Sequence, residues 1–375
     1  MTVISSEGAL VELVRGANGP LRVIGGGTRG PIGAAGEPLS VAGLKGITLY
    51  EPGALTVVAA AGTPLAEIET TLEAEGQRLA FEPMDHRPLL GTKGEPTLGG
   101  VVAGNVSGPR RIAVGAVRDF CLGVRFVDGS GNVIKNGGRV MKNVTGYDLV
   151  KLLAGSRGTL GVLTEVALKV LPKPETEATL ILHDLSLSQA VAAMSDALGS
   201  PFEVTGVAHV PDDAGSGPTT MIRLEGFEDS VKYRSGTLKD RLARFGELSV
   251  LNSEASQAAW QRIRDVMPFA DSAGDVWRLS VRPSHAPDLV ERMGRDVRVI
   301  LDWGGGLIWA LVPTGTDLRA RIAPFAGHAT RVRNDGAKPD TIQTFEQEAP
   351  GVAALTLGLR QKFDPRGLFS VGDPA

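Results

Sequence analysis

The chain has 375 residues, a net charge of −3 and a single cysteine. That length exceeds what one compact core ordinarily fills and suits two domains. Residues 1–172 carry 17 basic and 15 acidic groups and the rest carry 22 and 27, so neither part has the concentrated positive field that a polyanion partner such as nucleic acid requires. Cys121 can form no internal disulfide and by itself holds no iron–sulfur cluster or thiolate zinc site; between Phe120 and Leu122 it reads as a small core residue. The stretch from Met1 to Pro20 lacks the basic start and apolar run of a secretory signal, and no apolar segment approaches the ~18 residues of a membrane span. A cytoplasmic location is therefore expected, with any attachment to the inner membrane made through a partner.

Glycine is unevenly spread. Of 49 glycines, 30 fall within the first 165 residues. Such density suggests tight turns and close backbone approach to something bound.

In chain order, residues 6–16 predict a short amphipathic helix with Leu10, Val11 and Val14 on one face. Leu21 to Ile24 is a short strand running into Gly25-Gly26-Gly27-Thr28-Arg29-Gly30. A strand from Leu55 to Ala61 leads to Gly62-Thr63-Pro64, where Thr63 is placed to cap a helix begun by Pro64 and ended by Gly76. Residues 82–119 show few clear periods and, being too long for an ordinary connection, are a candidate functional loop. A hairpin follows, Cys121 to Val127 and Asn132 to Lys135, turning at Asp128-Gly129-Ser130-Gly131. Tyr147 to Ala154 reads as a helix and Gly161 to Leu171 as a strand.

At Pro172-Lys173-Pro174 the texture changes, and the domain boundary is expected there. The next 160 residues or so read twice as strand–helix–strand–strand–helix–strand. Strands are expected near 178–183, 203–210, 218–225 and 248–251, with helices near 187–198 and 229–245. The second pass has strands near 276–281, 298–302, 307–312 and 328–333, with helices near 285–296 and 316–325. This order predicts ferredoxin-like antiparallel sheet with helices on one face. A last helix near 350–363 leads to Phe363-Asp364-Pro365-Arg366-Gly367.

Gly25 to Gly30 formally matches G-x-G-x-x-G after a strand. The dinucleotide fingerprint needs a helix to start there, and Pro31-Ile32-Gly33-Ala34-Ala35-Gly36-Glu37-Pro38 cannot supply one, which disfavours a nicotinamide-binding fold. The loop can instead cradle phosphate with backbone N–H groups. A second glycine cluster, Thr97-Leu98-Gly99-Gly100-Val101-Val102-Ala103-Gly104-Asn105-Val106-Ser107-Gly108, precedes a short helical stretch whose start would attract an anion.

These loops, with Pro109-Arg110-Arg111, Gly115 and Arg118-Asp119, resemble the PCMH-type FAD domain of the vanillyl-alcohol-oxidase and cytokinin-dehydrogenase superfamily. The resemblance continues through Met141 to Leu149 and Gly155 to Glu165 and ends at Lys169-Val170-Leu171-Pro172. Within that superfamily, Ser107 to Arg111, Val117-Arg118-Asp119-Phe120 and Val140-Met141-Lys142-Asn143 are similar to the E subunits of bacterial glycolate oxidases. The resemblance implies that Gly25, Gly26, Gly27, Thr28, Arg29 and Gly30, with Thr97, Leu98, Gly99 and Gly100, hold the FAD diphosphate. Gly161-Val162 would meet the adenine end, and Asn143, Tyr147 and Asp148 would lie toward the flavin ring; Asn105, Gly108, Arg110, Arg118 and Asp119 complete the expected cofactor-binding set. Covalent tethering in the superfamily uses a His in the first glycine loop or a nearby Cys. Here Thr28 follows the glycines, Cys121 lies in a strand and His86 reads as a solvated loop residue, so FAD is expected to be non-covalent.

The cap departs from metal-dependent 2-hydroxyacid dehydrogenases of the superfamily, which carry His-x-Gly-Asp-Gly-Asn-x-His. The matching place here is Asp302-Trp303-Gly304-Gly305-Gly306-Leu307-Ile308-Trp309, which lacks the ligands a cation needs. No metal site is expected, and only Tyr147 and His328 remain as weak catalytic candidates. The expected fold is α+β: a PCMH-type FAD-binding domain over 1–172, a ferredoxin-like cap over 173–345, and residues 346–375 packing back on the FAD domain. The resemblance implies a role beside a larger, flavin-bearing D subunit and an iron–sulfur F subunit, the complex taking the 2-hydroxyacid glycolate to glyoxylate. A self-sufficient flavin dehydrogenase or oxidase is the alternative. A UDP-N-acetylenolpyruvoylglucosamine reductase, which shares the FAD domain, is disfavoured because its proton-donating Ser and its Glu cannot both be placed.

Overall fold

The computed structural model describes residues 1–29, 36–138, 146–211, 217–336 and 340–369. Chain contacts divide it into two compact units. Unit 1 comprises Met1–Gly108, Gly115–Lys173 and Gln347–Ala375; unit 2 comprises Pro109–Val114 and Pro174–Glu346. Gly30 and Asn143 lie outside the described residues.

Unit 1 opens with β1 (Thr2–Val3), α1 (Glu7–Gly16), β2 (Leu21–Ile24) and β3 (Glu37–Ser40), the strands forming a parallel sheet in the order β1-β3-β2. Ser6 caps α1 by accepting from the Ala9 N–H. The helix buries Leu10, Val11 and Val14 in one core with Leu21, Leu39, Val41, Val127 and Val162. Leu368 and Phe369 enter the same core, held by their N–H groups donating to the Asp364 carboxylate at 2.9 and 2.7 Å.

An antiparallel sheet follows, ordered β4-β5-β9-β7-β8, from β4 (Ile47–Glu51), β5 (Thr56–Ala60), β7 (Cys121–Val127), β8 (Val133–Gly137) and β9 (Val162–Lys169). Two further short strands, β6 (Gln77–Arg78) and β10 (Leu171–Pro172), pair with each other. Between β5 and β6 stands α2 (Leu65–Glu73), and here the Thr63 expectation is corrected. Its hydroxyl donates to the Ala60 carbonyl at 2.7 Å and accepts from the Gly46 N–H at 2.9 Å, so it closes a turn and does not cap the helix. The 82–119 stretch is a chain of short helices: α3 (Arg87–Leu90), α4 (Leu98–Ala103), α5 (Arg111–Val114) and α6 (Val117–Phe120). None is long enough for hydrophobic periodicity to register. Asp128 makes the expected hairpin turn, accepting from the N–H groups of Ser130 and Asn132. After it, α7 (Leu149–Leu153) is shorter than predicted because Asp148 caps it.

Unit 2 is built on one eight-stranded antiparallel sheet. Its first half is β11 (Thr176–His183), α8 (Leu187–Leu198), β12 (Gly206–Val210), β13 (Thr219–Gly226), α9 (Glu228–Leu242) and β14 (Leu248–Leu251). An additional helix, α10 (Ser253–Arg264), leads to the second half: β15 (Asp275–Val281), α11 (Ala286–Met293), β16 (Arg298–Asp302), β17 (Leu307–Val312), α12 (Leu318–Ile322) and β18 (Gly327–Arg333). The sheet order is β14-β11-β13-β12-β16-β17-β15-β18. Each half therefore has its own strands in the order fourth, first, third, second, and the halves join where β12 meets β16 antiparallel through Ala208↔Asp302 and His209↔Leu301. The twofold reading of the sequence is an internal repeat closed into one sheet.

Side chains alternate across a strand. Leu180, Leu182, Ile222, Leu224, Leu279, Ile308 and Ala310 share one core with residues of α8, α9, α11 and α12. Thr179 points to the other face, where the Trp260 indole of α10 donates to its hydroxyl at 2.8 Å. Last in the chain, α13 (Pro350–Phe363) belongs to unit 1.

One polar tie in unit 1 is pH-dependent. Arg125 of β7 grips Glu7 of α1 through two N–H groups at 2.7 and 2.6 Å, and the Thr164 hydroxyl of β9 adds a third bond at 2.8 Å. The Arg125 hydrogen bond holds the Glu7 carboxyl below its usual 4.5, against the opposing pull of burial. A carboxylate with a depressed folded pKa stabilises fully above the unfolded value and loses that contribution as pH falls through the folded one. Glu7→Gln is expected to cost about 0.5–1 kcal/mol near neutral pH, the pair being partly exposed. In urea melts the gap from the parent protein should narrow as pH falls below the usual 4.5 and vanish once the depressed folded pKa is passed; a gap unchanged throughout acid pH refutes the assignment.

Candidate functional site

β2 ends at Ile24, and the chain turns through Gly25, Gly26 and Gly27 into Thr28 and Arg29. A Cβ on Gly26 would run into the carbonyl oxygen of Glu95, and one on Gly94 into that of Gly26. These two glycines let two loops touch backbone to backbone. Thr28 is buried, and its carbonyl accepts the Thr92 hydroxyl at 2.8 Å. Among the described residues, the N–H groups of Gly26, Gly27, Thr28 and Arg29 donate to no protein acceptor. Successive open N–H groups in a loop that passes through a left-handed position, here Gly27 at φ +72°, form a concave anion site.

The second glycine cluster behaves differently. The N–H of Leu98 donates to Thr63 at 3.0 Å, that of Gly99 to the Ala61 carbonyl at 2.7 Å, and that of Val101 to the Thr97 carbonyl at 2.9 Å. The N–H of Gly100 donates to the Thr97 hydroxyl, the cap of α4. The expectation that Thr97, Leu98, Gly99 and Gly100 offer open backbone donors to an anion is thereby corrected. The cause is packing: a Cβ on Gly99 would stand 2.7 Å from that of Ala61, so the glycine lets α4 close onto the end of β5.

Gly100 and Gly104 make room for a side chain. A Cβ at Gly100 would lie 2.7 Å from Arg29 Nη2, and one at Gly104 would overlap Nη1. The half-buried Arg29 guanidinium thus runs along the glycine face of α4. Burial pushes its pKa down to about 10, and the charge of Arg157 adds to the shift. No carboxylate among the described residues offsets either effect.

The remaining sequence candidates divide into several environments. Asn105, at φ +47°, accepts the Arg118 N–H on its side-chain oxygen at 3.3 Å. Asp119 accepts the Ala116 N–H at 2.8 Å at the start of α6, and Gly108 donates to Phe81 at 2.8 Å. Gly161 lies against Phe126 and the Val127 carbonyl, and Val162 is buried opposite Val127. Asp148 accepts the Lys151 N–H as the cap of α7. Tyr147 is 88% exposed, and among the described residues its carbonyl accepts from Asn136 and Leu149. Arg110 belongs to unit 2, where it is buried and ion-paired with buried Glu225, itself 3.6 Å from Arg223.

In unit 2 the turn joining β16 to β17 passes through three left-handed residues, Trp303, Gly304 and Gly305. Asp302 accepts the Trp303 N–H at 2.7 Å. Arg111 and Arg278 stand over the Trp303 ring at 4.7 and 5.2 Å, and Arg278 also lies 6.0 Å from the Trp309 ring. Among the described residues, no group of three or more His, Cys, Asp or Glu side chains could hold a metal ion. His328 is exposed on β18, opposite Ser280. Buried His209 bonds the Thr220 hydroxyl at 2.9 Å, and burial pushes its pKa down to about 4, so it stays neutral. Arg157 lies within the Gly155 to Glu165 stretch, where no sequence pattern assigns it a role; its charge acts on Arg29.

A nest of open N–H groups beside a guanidinium that no described carboxylate neutralises is chemistry suited to a diphosphate. Residues 4–137 match the profile of a family described as an FAD binding domain. The fold is shared with a solved alkyldihydroxyacetonephosphate synthase, at a TM-score of 0.71 and 16% identity over 98% of this chain and 75% of that one. The α+β class expected from sequence, an FAD-binding domain with an antiparallel-sheet cap, is borne out, and the protein is an FAD-dependent oxidoreductase. Glycolate oxidase subunit GlcE of Escherichia coli (strain K12) is 37% identical over 373 residues, covering 97% of this chain and 96% of the relative. Glycolate oxidase subunit GlcD of Bacillus subtilis (strain 168) matches at 39% over 104 residues, 28% of this chain and 22% of that one. A D-lactate dehydrogenase of Anaerostipes hadrus matches at 32% over 191 residues, 51% and 36% of the two chains. The chain belongs to the glycolate oxidase subunit GlcE family.

The two kinds of glycine should respond differently to a methyl group. At Gly26 the added Cβ meets backbone, which cannot yield, whereas at Gly100 it meets the far end of a flexible arginine. Gly26→Ala is expected to lose about 1–3 kcal/mol or more of stability together with FAD occupancy. Gly100→Ala should stay within about 1 kcal/mol of the parent, relative to the gain Gly→Ala brings in a helix. Thermal melts and the flavin-to-protein absorbance ratio check the ranking, and equal losses at both positions refute it.

Proposed function

We propose that this chain is the FAD-carrying E subunit of a glycolate oxidase assembly, holding its FAD non-covalently and supporting electron transfer and assembly. It works beside a flavin-bearing D subunit and an iron–sulfur F subunit, and the complex takes glycolate to glyoxylate. The observation that carries this reading is the end-to-end likeness to a named oxidase subunit, 97% of one chain against 96% of the other. The protein acts in the cytoplasm, and any attachment to the inner membrane is made by its partners; among the described residues no helix is long and apolar enough to cross a membrane.

The first glycine loop, Gly25 to Gly30, receives the diphosphate. Asn143, Tyr147 and Asp148 serve the flavin side and Gly161-Val162 the adenine side. When bound, FAD supplies two-electron acceptance, and the chain supplies binding, orientation and electrostatics. Two features support non-covalent attachment. Burial pushes the Cys121 thiol up to about 12, which leaves almost no nucleophilic thiolate. The glycine loop itself carries Thr28 where a tethering histidine would stand.

Hydroxyacid oxidation needs a carboxylate clamp and a base within reach of the hydroxyl proton. Unit 2 offers arginines but no grouping of metal ligands among the described residues, and His328 and Tyr147 are both exposed. The metal-assisted site therefore belongs to the companion flavin subunit.

Two measurements test this. Acid precipitation of the yellow protein should release FAD to the supernatant; flavin retained in the pellet refutes non-covalent binding. The purified chain saturated with FAD should fail to reduce a dye with glycolate or D-lactate, and activity should appear when the companion subunits are added. Turnover by the chain alone, abolished by His328→Ala, would establish a self-sufficient dehydrogenase instead.

A further inference from the structure

We propose that Arg29 and Arg157 form a two-guanidinium site that neutralises the FAD diphosphate, so that charged side chains supply what the already-engaged donors of α4 cannot. The inference rests on the reading that unit 1 carries FAD.

Both arginines are set against the same helix. Arg29 extends along α4 where Gly100 and Gly104 have no side chains to exclude it. Arg157 is placed by a turn docked on the end of that helix: the Gly155 N–H donates to Val102 at 3.0 Å and the Arg157 N–H to Ala103 at 2.8 Å. Arg157 holds a left-handed backbone, φ +54°, which a β-carbon makes costly and which tends to persist where function requires it. The residue is exposed as a whole, so its charge can reach a ligand.

The electrostatics call for an anion. Like charges brought together in protein repel more strongly than in water. Protein around the Arg157 head also draws its pKa down, and Arg29 is less favourable as a cation here than in solvent. No described carboxylate relieves Arg29. A diphosphate diester carries two negative charges at neutral pH and matches two guanidinium groups in number. Each guanidinium presents N–H donors in a fixed plane suited to phosphate oxygens. The four open N–H groups of the Gly26–Arg29 segment end at Arg29 itself, which puts the nest and the charge on one stretch of chain.

The consequence is a flavin affinity that depends on charge. Apoprotein titrated with FAD, followed by quenching of flavin fluorescence, should bind progressively more weakly as sodium chloride rises. Arg29→Gln and Arg157→Gln should each weaken FAD binding about 10- to 100-fold at low salt, the range of one charge-assisted hydrogen bond. Both should flatten the salt dependence, and Arg29→Lys should restore part of the affinity. Riboflavin, which has no phosphate, should bind parent and variants alike. Inorganic pyrophosphate should raise the melting temperature of the parent apoprotein and leave that of the double Gln variant unchanged.

Circular dichroism of each variant separates a lost site from a lost fold, and exposed Arg157 is the variant least able to disturb folding. If folded variants bind FAD with parental affinity and salt slope, the two-arginine site is wrong while the flavin assignment stands. Failure of the parent protein to bind FAD at any salt concentration would remove the flavin assignment itself.

Discussion

The packing of α4 onto the end of β5 governs the chemistry available to unit 1. Gly99 has no side chain, so the helix closes until its N–H reaches the Ala61 carbonyl at 2.7 Å, while Leu98 reaches Thr63 and Thr97 caps Gly100. A helix start is ordinarily a source of open donors for an anion. Here those donors are satisfied within the protein. The glycine-rich segments thus divide by purpose. Gly26 and Gly94 bring loops into contact, Gly99 brings helix to strand, and Gly100 and Gly104 clear a path for the Arg29 guanidinium. Glycine density in the first 165 residues reflects chain packed against chain as much as chain opened to a ligand.

Unit 2 follows a separate logic. Two copies of one six-element pattern join through β12 and β16, so each copy protects an edge strand of the other from open solvent pairing. The β16–β17 turn beside this junction is tight, with Trp303 held in a left-handed conformation that bulky residues avoid. Arg111 and Arg278 over the indole stabilise this corner by cation–π attraction. At this corner the chain has indole and guanidinium, chemistry that holds a turn together.

How much of this was legible in sequence depends on the length of each element. Helix α8 is delimited by Ser186, which caps it in a box with Gln189, and by Gly199, so its bounds of 187–198 can be read directly. The strands of unit 2 lie within three residues of their predicted bounds. Helix α10 escaped notice because only Ser256, Trp260 and Ile263 of its twelve residues are buried, too sparse a stripe among polar neighbours. The four- to six-residue helices between 82 and 119 are below the length at which a period registers. For the site, the first glycine loop marks Arg29, but no pattern announces that no described carboxylate offsets its charge. That fact belongs to three-dimensional neighbourhood, as does the approach of Arg157 from some 130 residues downstream.

The string Ser107-Gly108-Pro109-Arg110-Arg111 shows how a motif can mark a family without marking a ligand site. Ser107 accepts the Val117 N–H at 3.0 Å, and Gly108 donates to Phe81, both within unit 1. Two residues later Arg110 is buried in unit 2 against Glu225, with Arg223 beside them stacked over Trp260 at 4.6 Å. A buried charge deprived of its partner is far costlier than the pair itself is stabilising. Arg110 and Glu225 are therefore bound to one another as a pair, whatever occupies the flavin site. The same five residues that resemble a cofactor loop thus serve first as the point where the chain commits a short segment to its second unit. Recognition of a family from such a string rests on shared architecture, and the assignment of ligand contacts within it has to be argued separately, from which donors and charges the architecture leaves open.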